Sequence, residues 1–218
     1  MDMLSNRVVS PFVLLLTFCF SLFFIPANAS LLGLSVLGSG SCSNVNSRLE
    51  GQEIFLDKQM NAIAPCDLEF TLFGTSSFVV DNLLFSERVF NDSGIAWGDY
   101  HLILGIGFGI DFEESDNNDS RHFRRESGML PSNSDFAQIL LDPSDLAPDS
   151  LDFGGGTGVD FGAYTEFNFA LAGLFDSDGD GEITFTIRQI PTISEPSTVS
   201  LLGFSVIGLL LLNLKRKV

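Results

Sequence analysis

Between residues 50 and 190, helical periodicity is almost absent, and apolar and polar positions instead alternate with a period of two. Leu68, Phe70 and Leu72 alternate with Glu69 and Thr71. Phe167, Phe169 and Leu171 alternate with Glu166, Asn168 and Ala170, and Ile183, Phe185 and Ile187 with Glu182, Thr184 and Thr186. Each stretch predicts a strand with one apolar and one wetted face, as in antiparallel strands packed against a second sheet. Further strands are predicted over 53–57, 78–85, 87–91, 100–104, 138–141 and 159–163, separated by Gly- and Asp-rich turns. About eight to ten short strands make an all-β, antiparallel β-sandwich, with jelly-roll and Ig-like topologies both compatible. The chain has 22 Phe, many of them placed to fill the space between two sheets. Residues 111–135 break the alternation with acids, Asn, Ser and Gly around Arg121, His122, Arg124 and Arg125, and read as a mobile surface loop.

Composition matters first at the two ends. Residues 12–25 (FVLLLTFCFSLFFI) form an apolar run after a weakly charged start, followed by Pro26 and the small residues Ala27 and Ala29 around Asn28. That is the layout of a signal peptide over 1–29, with cleavage by signal peptidase before Ser30. Residues 31–37 prolong the apolar stretch, as an uncleaved anchor would. Export into an oxidising compartment leaves Cys42 and Cys66 as an even pair, expected as a disulfide. The net charge is −17, and residues 30–195 hold 27 acids against 7 bases. Such a chain does not bind nucleic acid by neutralising phosphates.

At the other end, Ser194-Glu195-Pro196-Ser197-Thr198 precedes an apolar stretch over 198–214 and the basic close Lys215-Arg216-Lys217. Seventeen residues lie near the lower limit for crossing a hydrocarbon core of about 30 Å. The basic cluster is a membrane stop that sets this end on the cytoplasmic side. Together the three parts resemble the PEP-CTERM sorting signal of bacterial exosortase substrates, with Ser194 standing where that family usually has proline. The resemblance implies recognition by a membrane-embedded exosortase, cleavage near the motif, transient residence in the inner membrane, and release to the cell envelope or extracellular matrix. The expected organisation is a leader (1–29), an extracytoplasmic β-sandwich domain (30–193) and a sorting signal with one transmembrane helix (194–218).

Candidate chemistry in the interior is sparse. Asp176, Asp178, Asp180 and Glu182 follow a D-x-D-x-D-G pattern that gathers oxygen ligands for a hard cation. It resembles the first half of an EF-hand or dockerin-type calcium loop. Position 12 of such a loop, where a bidentate Glu belongs, is Ile187. Calcium and a solvated acidic turn are the two readings. Asp99 and His101 would share a strand face, as a structural hydrogen bond or a dyad, and Asp99 with Asp111 is the carboxylate pair a hydrolase would need. Gly105-x-Gly107-x-Gly109 and the glycines of 154–158 precede no amphipathic helix and read as strand ends and turns. No nucleophile elbow, H-E-x-x-H or zinc-type spacing occurs, so no catalytic residue is assigned. The expected function is a structural or interaction role in the envelope or matrix, not an enzyme. The alternative is a carbohydrate-binding module meeting extracellular polysaccharide, for which Trp97, Tyr100 and Tyr164 are the available polar-edged rings.

Overall fold

The computed structural model describes residues 31–75, 77–116, 119–124, 131–140 and 148–193. In chain order the strands are β1 (Leu31–Gly40), β2 (Cys42–Glu50), β3 (Glu53–Met60), β4 (Cys66–Gly74), β5 (Val79–Val80), β6 (Leu83–Asn91) and β7 (Trp97–Ile106). They continue with β8 (Glu113–Glu114), β9 (His122–Phe123), β10 (Ser132–Asn133), β11 (Gln138–Leu140), β12 (Ser150–Val159), β13 (Tyr164–Ala172), β14 (Leu174–Phe175) and β15 (Glu182–Thr192). A single turn of 3-10 helix, Gly109–Asp111, follows β7. The described chain is therefore all-β.

One sheet runs β1-β4-β15-β7-β12-β11, with β8 beside β7. The second runs β10-β13-β6-β3-β2, with β9 beside β13, and β14-β5 form a small ribbon. The ladders are antiparallel except for β3 and β6, which run parallel in a register pairing Glu53 with Leu84. The expected wholly antiparallel arrangement is thus corrected to a mixed second sheet. The cause is the path of the chain: β4 lies in the first sheet, so the chain leaves after β3 and returns as β6 in the same direction.

The two inner faces share one apolar core, an arrangement consistent with a β-sandwich. Phe70 of β4 and Phe185 of β15 stack at 5.1 Å, and Phe70 meets Phe85 of β6 edge-on at 5.3 Å across the sheets. Phe85 stacks on Phe169 of β13 at 4.7 Å, and Phe153 of β12 meets Phe167 of β13 at 4.9 Å. Except for Phe153, these are inward residues of the predicted strands; the expected alternation holds along β4 but is interrupted at Ala170 and Thr186, which are buried on the parity expected to be wet. Such offset and edge contacts add about 0.5–1.5 kcal/mol each beyond area burial.

Several stretches differ from the sequence reading. Of the predicted strand 159–163 only Val159 lies in a strand, the end of β12, and Asp160 to Ala163 form the turn into β13, with Ala163 N donating to Asp160 O (3.1 Å). The predicted strand 78–85 is split between β5 and β6. Residues 31–37 belong to β1, an edge strand paired with β4, and β2 follows after a corner at Ser41. Ser41 donates its N–H to Pro65 O (3.0 Å) and its hydroxyl to Ala64 O (2.6 Å), which fixes the step of the chain from one sheet to the other. The glycines of 154–158 lie within β12, where the register against β7 shifts between Gly154 and Val159. Gly158 has φ +68°, and a Cβ there would sit 2.1 Å from Trp97 O, so the bulge requires glycine. The 111–135 stretch, expected as a loop, contributes the short strands β8, β9 and β10 in its described parts. Phe123 of β9 is fully buried and meets Phe169 at 5.7 Å, and this apolar anchor draws the stretch onto the core.

Among the described residues no helix is long and apolar enough to cross a membrane. The leader at 1–29, the motif Ser194 to Thr198, the apolar stretch 198–214 and Lys215-Arg216-Lys217 all lie outside the described residues.

Candidate functional site

The acidic turn between β14 and β15 brings Asp176, Asp178 and Asp180 together, with one carboxylate oxygen from each within 4.8 Å of the others. Asp176 is buried and organises the turn. Its Oδ2 accepts the N–H groups of Ser77 (2.8 Å) and Gly181 (3.0 Å), and its Oδ1 that of Gly179 (2.7 Å). Burial alone would push the Asp176 carboxyl up, but these backbone donors, with the Asp178 side chain, outweigh it and hold the group below the usual carboxylate range. Asp178 Oδ1 accepts from Asp180 N (3.4 Å) and Asp180 Oδ1 from Glu182 N (2.8 Å), while both side chains stay exposed. Glu182 opens β15 and is not part of the cluster of three. Ile187 is fully buried, so nothing at that position can close a twelve-residue calcium loop. Three carboxylates held this closely suit a hard divalent cation.

A second polar group lies where only apolar atoms were expected. On β3 the inward positions are Ile54, Leu56, Lys58 and Met60, and on β6 they are Leu83, Phe85, Glu87, Val89 and Asn91. Lys58 and Glu87 therefore point between the sheets, each with a side chain at 0% exposure. Lys58 Nζ donates to Glu87 Oε1 and to Oε1 of Gln189, which faces inward from β15. Gln189 Nε2 donates to Glu87 Oε2 at 3.1 Å, and the hydroxyl of Tyr100 on β7 donates to Gln189 Oε1 at 2.6 Å. Burial pushes the Lys58 ammonium down, against the opposing pull of Glu87. Burial and the Glu87 charge together push the Tyr100 hydroxyl well up, so it stays a donor. Removing one member of a buried pair leaves the other charge uncompensated and costs on the order of 3–5 kcal/mol.

The remaining candidates separate cleanly. Cys42 and Cys66, at the starts of β2 and β4, face each other as a disulfide with Cα atoms 5.2 Å apart. His101 pairs with Asp152 across the β7–β12 ladder, with Nδ1 to Oδ1 at 2.6 Å, rather than with Asp99. That hydrogen bond raises the imidazole pKa, against partial burial and with help from the charges of Asp152 and Asp99. Asp99 lies near the start of β7 and Asp111 beyond its end, so the strand separates the two carboxylates. Trp97 and Tyr100 are buried, 5.6 Å apart, and cannot serve as a glycan platform, whereas Tyr164 is exposed beneath the Arg88 guanidinium. On the outer face of the second sheet, an open groove of about 230 Å³ is lined by Arg48, Phe55, Asp57, Arg88, Glu166 and Asn168.

Compared with models of protein families, with curated proteins and with solved structures, the chain matches none.

Lys58, Glu87 and Gln189 were not singled out by sequence reasoning. The signal was available in the parity. Lys58 continues the Ile54, Leu56 series and Glu87 the Leu83, Phe85 series, so each stands at an inward position. The strands predicted from the sequence end beside these charges, at 57 and between 85 and 87.

Proposed function

We propose that the chain is an exported, exosortase-processed protein of the cell envelope or extracellular matrix with a structural or interaction role. The observation that carries this reading is the tail Ser194-Glu195-Pro196-Ser197-Thr198, 198–214 and Lys215-Arg216-Lys217, in a chain that also starts with a leader ending at Ala29. The leader threads the chain outward, signal peptidase cuts before Ser30, and the apolar tail with its basic stop holds Glu195-Pro196 just outside the inner membrane for the exosortase. A disulfide between Cys42 and Cys66 and a large acidic surface suit the oxidising, aqueous side. Asp176, Asp178 and Asp180 supply a calcium site in this reading, with Glu182 outside the group of three. The tests are terminal sequencing and mass mapping of the protein released by its host. A mature start at Ser30 and an end near Glu195 are expected, and a released chain carrying Met1 or an intact 215–217 end contradicts the reading.

A carbohydrate-binding module is the second reading, favoured by the groove whose Arg48 guanidinium lies 4.1 Å over the Phe55 ring beside Asp57, Arg88 and Asn168. Binding of envelope polysaccharide that is lost in Arg88→Ala would favour it over a purely structural role.

A further inference from the structure

We infer that Lys58 and Gln189 are joined by an intramolecular isopeptide bond, formed without any other enzyme, with Glu87 as the acid and base of the reaction and Tyr100 as the donor to the carbonyl oxygen. This inference stands apart from the sorting reading, because it concerns only groups inside the sandwich.

The components of an amide exchange are present and mutually in contact. Lys58 Nζ lies against Gln189 Oε1, one bond from the carbonyl carbon Cδ, and against Glu87 Oε1. Glu87 Oε2 holds the amide nitrogen Nε2 that would leave. Tyr100 donates to the oxygen on which negative charge would develop, in the manner of an oxyanion hole. Lys58, Glu87, Tyr100 and Gln189 are all buried.

The step balances as follows. The Lys58 ammonium gives one proton to the Glu87 carboxylate and becomes a neutral amine, which burial favours. The nitrogen lone pair adds to Gln189 Cδ, and the carbonyl π pair moves to Oε1, stabilised by the Tyr100 hydroxyl. Glu87 then passes its proton to Nε2 and takes one from the former lysine nitrogen. The Cδ–Nε2 bond breaks, ammonia leaves, and the carbonyl re-forms as a secondary amide. Ammonium, primary amide and carboxylate have become secondary amide, ammonia and a carboxylic acid, with no change in oxidation state and no co-reactant. The reaction removes a buried ion pair and leaves neutral groups, so the desolvation that opposes the pair favours the product. Its consequence is mechanical: β3 of one sheet is bonded to β15 of the other across 131 residues of sequence.

Peptide mapping of the purified full chain tests this. After reduction and alkylation, cleavage at glutamate places Lys58 in a peptide of residues 54–69 and Gln189 in one of residues 183–195. The expected result is a single species containing both peptides, lighter than their sum by one ammonia, with fragment ions locating the link at Lys58 and Gln189. In Glu87→Gln, which keeps the shape but cannot shuttle the proton, the linked species forms at least about a hundredfold more slowly. Two separate peptides at full mass from the folded parent overturn the inference. So does a linked species formed equally fast in Glu87→Gln.

Discussion

Asp67 and Arg188 stand directly opposite each other on β4 and β15, and replacing Asp67 with Ala removes more than an ion pair. Arg188 Nε donates to Asp67 Oδ1 at 2.7 Å and Nη2 to Oδ2 at 2.9 Å, a fork in which Asp67 is only 4% exposed and Arg188 21%. Asp67 Oδ2 also accepts the Gly109 N–H at 2.7 Å, and Arg188 donates to Gly109 O at 2.7 Å while lying 4.0 Å over the Phe112 ring. The pair thus clamps the turn after β7 onto the sheet. Charge-assisted hydrogen bonds contribute about 1.5–3 kcal/mol each when buried, and removing one member of a buried pair costs about 3–5. Arg188 keeps the Phe112 face, the Gly109 carbonyl and some water, so Asp67→Ala is expected to cost about 2–3 kcal/mol. With a urea slope of about 2 kcal/mol per molar, the unfolding midpoint drops by about 1–1.5 M. Trp97, the single tryptophan, is buried and reports the transition by its fluorescence. Arg188→Lys keeps the charge but loses the fork and is expected to cost about 1 kcal/mol. In the double mutant Asp67→Ala/Arg188→Met, a coupling of about 1–2 kcal/mol should appear. An Asp67→Ala midpoint indistinguishable from the parent, or fully additive single mutants, would refute this account of the clamp.

Three other outcomes follow from the geometry. His101 has a raised folded-state pKa, so its pairing with Asp152 stabilises the fold fully below the unfolded histidine value of about 6.5 and fades as pH rises through the folded value. The side chains are 34% and 43% exposed, which limits the effect to under about 1 kcal/mol, and Asp152→Asn should flatten the difference between urea midpoints measured on either side of that window. Reduction of the Cys42–Cys66 link, separated by 24 residues, should lower stability by about 3 kcal/mol, and alkylation without reductant should leave both cysteines unmodified. Added calcium should raise the melting temperature of the parent but not of Asp178→Asn/Asp180→Asn, and equal shifts in both would remove calcium from the account.

The strands legible in the sequence are those whose alternation is unbroken. β4, β13 and β15 each carry at least three apolar residues at one parity, and all three series are buried. β3 and β6 were foreshortened or split because Lys58 and Glu87 occupy inward positions and imitate strand ends. β2 gave no signal, since its two faces are both largely polar and it lies at a sheet edge. β12 was hidden by glycines that serve a bulge rather than a turn. The acidic cluster was legible because its carboxylates, Asp176, Asp178 and Asp180, lie within five residues of sequence. The buried quartet was not, because Lys58 and Gln189 meet only through the stacking of two sheets.

In the proposed function the tail is a processing signal rather than an anchor. Pro196 biases Glu195 away from helix, so the sequence predicts an extended segment before the apolar stretch, the form a protease cleft accepts. Cell fractionation of Glu195→Ala/Pro196→Ala against the parent, in a host that carries an exosortase, tests this most directly. The double mutant is expected to remain in the inner membrane while the parent is released, and equal release of the two would contradict the claim.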